Sequence, residues 1–218
     1  MSSPAATETA PTAPGRTIVL AIGIGLVLAA AGGAELTLLA PPPGPKLDTL
    51  GTLPAFELTD QTGKTFGLNE LRGKVWIADF VFTRCPGICP LLTERMRKIQ
   101  TRAGELGTDV QLVSISVDPA FDTPTVLTGY MAKHKADASN WHFLTGGIDA
   151  IQTVVTDGFK EVLERDHTKG PDDFMSIVHG GHFVVVDRAG HIRDYVDSGS
   201  LDAVDVALRD AKSLLREK

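Results

Sequence analysis

Beyond residue 50 the apolar positions fall into short runs whose spacing alternates between strand and helix periods. Lys74 to Phe82 (KVWIADFVF) and Val110 to Val117 (VQLVSISV) are near-continuous apolar runs rich in β-branched and aromatic residues. That is the pattern of central strands buried on both faces. Leu53 to Leu58 reads as a short edge strand, followed by a turn at Asp60-Gln61-Thr62-Gly63. A further strand is expected near His142–Leu144. His182–Val186 and His191–Tyr195 read as a hairpin joined by Asp187-Arg188-Ala189-Gly190. Helices are expected from Pro90 through Leu91, Leu92, Met96 and Ile99, from Thr123-Pro124 towards His134, from Gly147 to about Phe159, and from Ser200 to Arg216. Strands alternating with helices, then a late hairpin, predict an α/β fold with a central mixed sheet flanked by helices.

Ahead of this domain the pattern changes. Residues 1–16 are rich in Ala, Thr, Pro and Ser and are expected to be a disordered tail, because they have little to bury. Thr17 to Ala34 (TIVLAIGIGLVLAAAGGA) carries no charge. As a helix it would span roughly 27 Å, slightly less than a hydrocarbon core of roughly 30 Å. Leu36 to Ala40 covers the deficit when Glu35 lies near an interface. Residues 17–40 are therefore expected to be a transmembrane anchor, with a cleaved signal peptide or a buried core helix as alternatives. A core helix should show a polar face, and this run has none. Arg16 favours a cytoplasmic side for the residues before the run. Residues 41–50, opening with Pro41-Pro42-Pro43-Gly44-Pro45, read as a stiff spacer, and 51–218 as the folded domain.

Composition narrows the function classes. A hydrophobic fraction of 43% in 218 residues supports a sizeable core, and a net charge of -6 without a Lys/Arg cluster argues against nucleic-acid binding. The chain has two cysteines, both in Phe82-Thr83-Arg84-Cys85-Pro86-Gly87-Ile88-Cys89-Pro90. Cys85 follows the end of a predicted central strand, where open α/β sheets bind ligands. Pro86 keeps Cys85 in a loop, and Cys89 falls near the start of the helix opened by Pro90. A helix N-terminus stabilises negative charge by about 0.3–1 kcal/mol, so Cys89 is expected to have thiolate character, with Arg84 adding to it.

Such a pair outside the cytosol is a small disulfide, a redox switch or a soft-metal site. As a staple it would contribute only about 2 kcal/mol, which a domain of this size does not need. Three residues separate the cysteines, where thioredoxins have two. Peroxiredoxin-type peroxidases place a Thr three residues before the reactive Cys, where this chain has Phe82. Two thiolates suit Cu(I), and an imidazole would complete a three-coordinate set. Of His134, His142, His167, His179, His182 and His191, only His179 and His182 lead into the hairpin. In a thioredoxin-like order that segment packs beside the cysteine loop.

The motifs together resemble the Sco/SenC family of copper chaperones for cytochrome c oxidase assembly. The resemblance rests on Asp79-Phe80-Val81-Phe82-Thr83-Arg84 before Cys85-x-x-x-Cys89-Pro90, on Ser116-Val117-Asp118-Pro119 with Asp122-Thr123-Pro124, and on His179 eight residues before Asp187. It implies a thioredoxin-like fold and Cys85, Cys89 and His179 as ligands of copper, Cu(I) or Cu(II). It further implies a bacterial inner-membrane protein with its domain in the periplasm. That protein would help build the binuclear copper centre of oxidase subunit II, or serve another copper-accepting assembly factor, with a thiol reductant keeping the cysteines reduced. The alternative is a thiol-disulfide oxidoreductase that reduces the cysteines of the oxidase copper site. The chain departs from the family pattern at Val178 and Gly180, which flank the histidine, and at Gly87 in the cysteine loop. His182 is expected on the opposite strand face from His179, and Asp122 is expected to cap the helix at Thr123-Pro124.

Overall fold

The computed structural model describes residues 46–104, 110–166, 168 and 176–217. The tail at 1–16, the anchor segment at 17–40 and spacer residues 41–45 lie outside the described residues. Among the described residues no helix is long and apolar enough to cross a membrane.

The two continuous apolar runs become the central strands β4 (Val75–Val81) and β5 (Val110–Ser116), both buried along their whole length. They pair in parallel from Val75 opposite Val110 to Val81 opposite Ser116. Parallel strands need a crossover, and α2 (Cys89–Ala103) supplies it. On one side β6 (Trp141–Thr145) adds in parallel, followed by β2 (Glu57–Asp60) and β3 (Thr65–Gly67). On the other side the hairpin β9 (His182–Val186) and β10 (His191–Asp197) adds antiparallel to β4, with β1 (Gly51–Thr52) at the edge. The hairpin turn needs a left-handed residue, which Gly190 provides at φ +88. Helices α1 (Leu68–Leu71), α3 (Pro124–His134), α4 (Ile148–Gln152) and α5 (Ala203–Arg216) complete the chain. The mixed sheet with flanking helices agrees with the expectation.

Three boundaries differ for local reasons. The strand expected at 53–58 forms only from Glu57, as β2, which lies between β6 and β3 rather than at the edge; residues 53–56 are irregular. Pro54, which has no N–H for a ladder, lies among them. The helix expected to reach Phe159 keeps α-helical bonding only to Gln152 and continues as a π turn over Thr153–Gly158. It is capped at Phe159, and the next residue, Lys160, has a left-handed φ of +58, a conformation that costs a non-glycine residue about 1–2 kcal/mol. Residues 46–50, read as spacer, lie against β10. The Leu50 N–H donates to the Ile192 carbonyl at 2.8 Å, and the Arg193 guanidinium donates to the Leu47 and Asp48 carbonyls at 2.5 and 3.2 Å. Arg193 also pairs with Glu217 at 3.0 Å, so one side chain ties both ends of the domain.

Under the sheet's cysteine end lies a buried acid. In the parallel register Asp79 stands opposite Ser114, whose hydroxyl donates to Asp79 Oδ1 at 2.5 Å while accepting from Trp141 Nε1 at 2.9 Å. Asp79 Oδ2 is buried with no hydrogen-bond partner. Burial raises the Asp79 pKa from 3.8 to about 7, against the opposing Ser114 bond. The folded state therefore holds a proton that the unfolded chain has released. Stability falls as pH rises between those two values and levels off above them, by at most about 4 kcal/mol at ~1.4 kcal/mol per unit. Asp79→Asn should then be more stable than wild type by about 2–4 kcal/mol at pH 8 and nearly equal to it at pH 4, measured by urea unfolding. An equal difference at both pH values would show that Asp79 is ionised in the fold.

Candidate metal centre

The strand β4 ends at Val81, and the chain turns through Phe82 to Ile88 before α2 begins at Cys89. The Cys85 N–H donates to the Phe82 carbonyl at 3.2 Å, closing a tight turn that leaves Cys85 half-buried. Cys89 is fully buried in the first turn of α2, and both thiols are free. Thr93 bonds back from the next turn, its hydroxyl donating to the Cys89 carbonyl at 2.9 Å and touching the Tyr130 hydroxyl at 2.8 Å.

The histidine arrives from a separate ribbon. β7 (Leu163–Arg165) and β8 (Ile177–His179) pair antiparallel, with Leu163 opposite His179. His179 Nε2 lies 3.6 Å from Cys89 Sγ, and the ring stands edge-on to Phe82 at 5.8 Å between centroids. His179 Nδ1 is 2.9 Å from the Gly180 carbonyl. A carbonyl only accepts, so this bond puts the proton on Nδ1 and leaves the Nε2 lone pair facing the sulfur. Burial lowers the His179 pKa and keeps the ring neutral.

Cys89 departs from the thiolate expected of it. Burial drives its pKa up, and the Cys85 thiol beside it pushes the same way, outweighing a bond from the Phe82 amide. The pair is thus a neutral thiol facing a neutral imidazole. Among the described residues no three His, Cys, Asp or Glu side chains already converge as a metal cage. Cys89 and His179 are poised together, while Cys85 sits beside Cys89 at the open lip of the loop. Two soft sulfurs and an unprotonated nitrogen are a donor set for a soft thiophilic ion.

Asp122 and Asp118 do work that the sequence reading missed. Asp122 does not cap α3; Thr123 does, accepting from the Val126 N–H at 3.4 Å. Asp122 is fully buried and accepts from the Thr83 N–H at 3.1 Å, the Thr83 hydroxyl at 2.5 Å and the Ser116 hydroxyl at 2.6 Å. Asp118 pairs with Arg84 at 2.6 Å, and the Arg84 guanidinium lies 4.8 Å from the Phe121 ring centroid. Both acids therefore brace the two residues before Cys85. The motif was visible in the sequence, but only the fold shows which way the carboxylates turn. The other histidines are engaged elsewhere: His134 stacks on Tyr130, His142 on Phe66, and His191 pairs with Asp187. His182 is held by Glu161, with Nδ1 2.8 Å from Oε1, and His167 lies outside the described residues.

A family model described as SCO1/SenC matches residues 46–216. The SCO1 protein homolog of Bacillus subtilis (strain 168) is 32% identical over 163 residues, covering 73% of this chain and 82% of that protein. The fold matches BsSco, a member of the Sco family of cytochrome c oxidase assembly proteins in which a disulfide switch was identified. That match has a TM-score of 0.69 and 29% identity, over 80% of this chain and all of that one (100%). It also matches Bradyrhizobium japonicum ScoI with copper bound, at TM-score 0.63 and 25% identity, over 75% and 99% of the two chains.

The burial difference between the thiols is directly measurable. In the reduced, metal-free full-length chain at pH 7.5, iodoacetamide should modify Cys85 at least about tenfold faster than Cys89, because only a reachable thiolate reacts. Asp122→Ala, which unties Thr83, should narrow that ratio as the loop loosens. Equal rates in the wild type would contradict a buried, protonated Cys89.

Proposed function

The chain belongs to the SCO1/SenC family, and from that premise we propose that it is a membrane-anchored copper metallochaperone in which Cys85, Cys89 and His179 hold the metal. The observation that carries this reading is the 3.6 Å approach of His179 Nε2 to Cys89 Sγ, with the imidazole lone pair turned to the sulfur. Copper is the cargo. Cys85, reachable at the lip, is the first and last sulfur to meet it, while Cys89 and His179 provide the sheltered part of the site. Loading replaces the Cys89 thiol proton with the metal ion, so the buried site gains a counter-charge as it gains a thiolate. Release is by ligand exchange with an acceptor of similar donors. Copper bound in the Bradyrhizobium relative and the oxidase-assembly role of the Sco family support this reading. The acceptor we assign is the binuclear copper centre of cytochrome c oxidase subunit II or another copper-accepting assembly factor. Residues 17–40 would anchor the chain in a bacterial inner membrane with the domain in the periplasm. The protein would not be an enzyme in the turnover sense.

A second reading has its own observation. One thiol is half-exposed and its neighbour buried, both free, which is the asymmetry of an attacking and a resolving cysteine. On that reading the chain reduces the cysteines of the oxidase copper site. Anaerobic Cu(I) titration of the reduced full-length chain separates the two. We expect one copper per chain, lost in Cys85→Ser and Cys89→Ser. His179→Ala should bind at least about 100-fold more weakly, since even outer partners are worth roughly 10–100-fold, yet still exchange its dithiol with an external disulfide. A wild-type chain that takes up no copper but exchanges disulfides would favour the reductase and overturn the chaperone.

A further inference from the structure

Gly180, directly after His179, is gripped on several sides. Its N–H donates to the Val162 carbonyl at 2.9 Å, and its own carbonyl accepts from His179 Nδ1 at 2.9 Å. Over its Cα lies the carboxylate of Glu161. A methyl group placed on Gly180 would coincide with Glu161 Oε2 and come within 2.7 Å of Cδ and 3.3 Å of Cβ. The Gly180 φ lies outside the left-handed region, so the carboxylate, and not the backbone conformation, is what excludes a side chain there. Glu161 is only 6% exposed, and its other oxygen bonds His182 Nδ1 at 2.8 Å. Residues on either side of Lys160 are tied down as well. The Tyr195 hydroxyl donates to the Phe159 carbonyl at 2.9 Å, and its ring meets His182 edge-on at 6.1 Å. The Glu161 N–H reaches back to the Val155 carbonyl at 3.0 Å, within the π turn.

We propose that Glu161 is a positioning residue for His179. Clamped by His182, its carboxylate fills the space above Gly180 while Val162 holds the amide. The Gly180 carbonyl is thereby fixed where it takes the His179 Nδ1 proton, and the Nε2 lone pair stays directed at Cys89. The glycine beside the histidine is then a fitted partner of Glu161. An outer acceptor of this kind fixes both the tautomer and the ring orientation of a ligating histidine. The inference rests on the copper reading only for its binding measurement.

The test compares wild type, Glu161→Gln, Glu161→Ala, Gly180→Ala and the Glu161→Ala/Gly180→Ala double variant as full-length chains. Two properties are measured: the His179 tautomer in the metal-free protein by 15N NMR of the imidazole, and the Cu(I) dissociation constant. Gly180→Ala should shift His179 away from the Nδ1–H tautomer and weaken copper binding about tenfold or more. Glu161→Ala should move the same signals less, and Glu161→Gln, which keeps shape and hydrogen bond, should stay near wild type. In the double variant the alanine has room, so it should be no worse than Glu161→Ala alone. A Gly180→Ala effect of equal size in both backgrounds, or a wild-type His179 tautomer in Glu161→Ala, overturns the proposal. If Gly180→Ala fails to fold, Glu161→Ala against Glu161→Gln decides the matter by the tautomer. If the wild type takes up no copper, the copper reading fails while the tautomer comparison still decides this one.

Discussion

Val81 pairs with Ser116 on the last rung of the parallel ladder between β4 and β5, and the candidate centre is assembled from what leaves the two strands there. One strand delivers Phe82, Thr83, Arg84 and Cys85; the other delivers Ser116, Asp118 and Asp122. The cross-ties from Asp122 to Thr83 and from Asp118 to Arg84 close only because both strands end level. The same register sets Ser114 against Asp79 below. A slip of one residue would turn every side chain to the opposite face and dissolve both arrangements. Sheet register and loop geometry are therefore one constraint.

Charge at the centre is decided by magnitude. A helix N-terminus offers about 0.3–1 kcal/mol to an anion, less than one pKa unit at ~1.36 kcal/mol per unit. Complete burial of a thiol opposes ionisation by more than that, and the second sulfur nearby adds to it. The result is a buried pair, Cys89 and His179, in which burial opposes charge on both partners. His179 follows the same rule from the other side, since burial disfavours its protonated form.

The parts of this structure legible in the sequence were those with a dense local signal. The runs at 74–82 and 110–117 announced buried parallel strands by apolar continuity alone, and Pro90 marked the helix start. The thioredoxin-like order followed from these, and it put His179 on a path to Cys89. What the sequence hid was orientation. Asp122 sits next to a helix start and invites a capping role, but its carboxylate turns inward to Thr83 because Thr123 already caps. Glu161 gave no local signal at all, being a single acid between a helix and a strand. Its partner was readable only as a glycine that departs from the family pattern beside the histidine. The π turn was likewise invisible, because an apolar helical pattern does not reveal whether bonding runs to the fourth or the fifth residue.

Arg193 joins the stretch at Leu47 and Asp48 to Glu217 at the end of the sheet where β4 begins, next to the pairing of Trp76 with Val186. The cysteine loop lies at the other end of β4, roughly 20 Å away at ~3.3 Å per residue. Entry point and chemistry thus occupy opposite poles of the domain. A change at Leu47, Asp48 or Glu217 is therefore separated from the thiols by the whole length of β4, and can reach them only through the sheet.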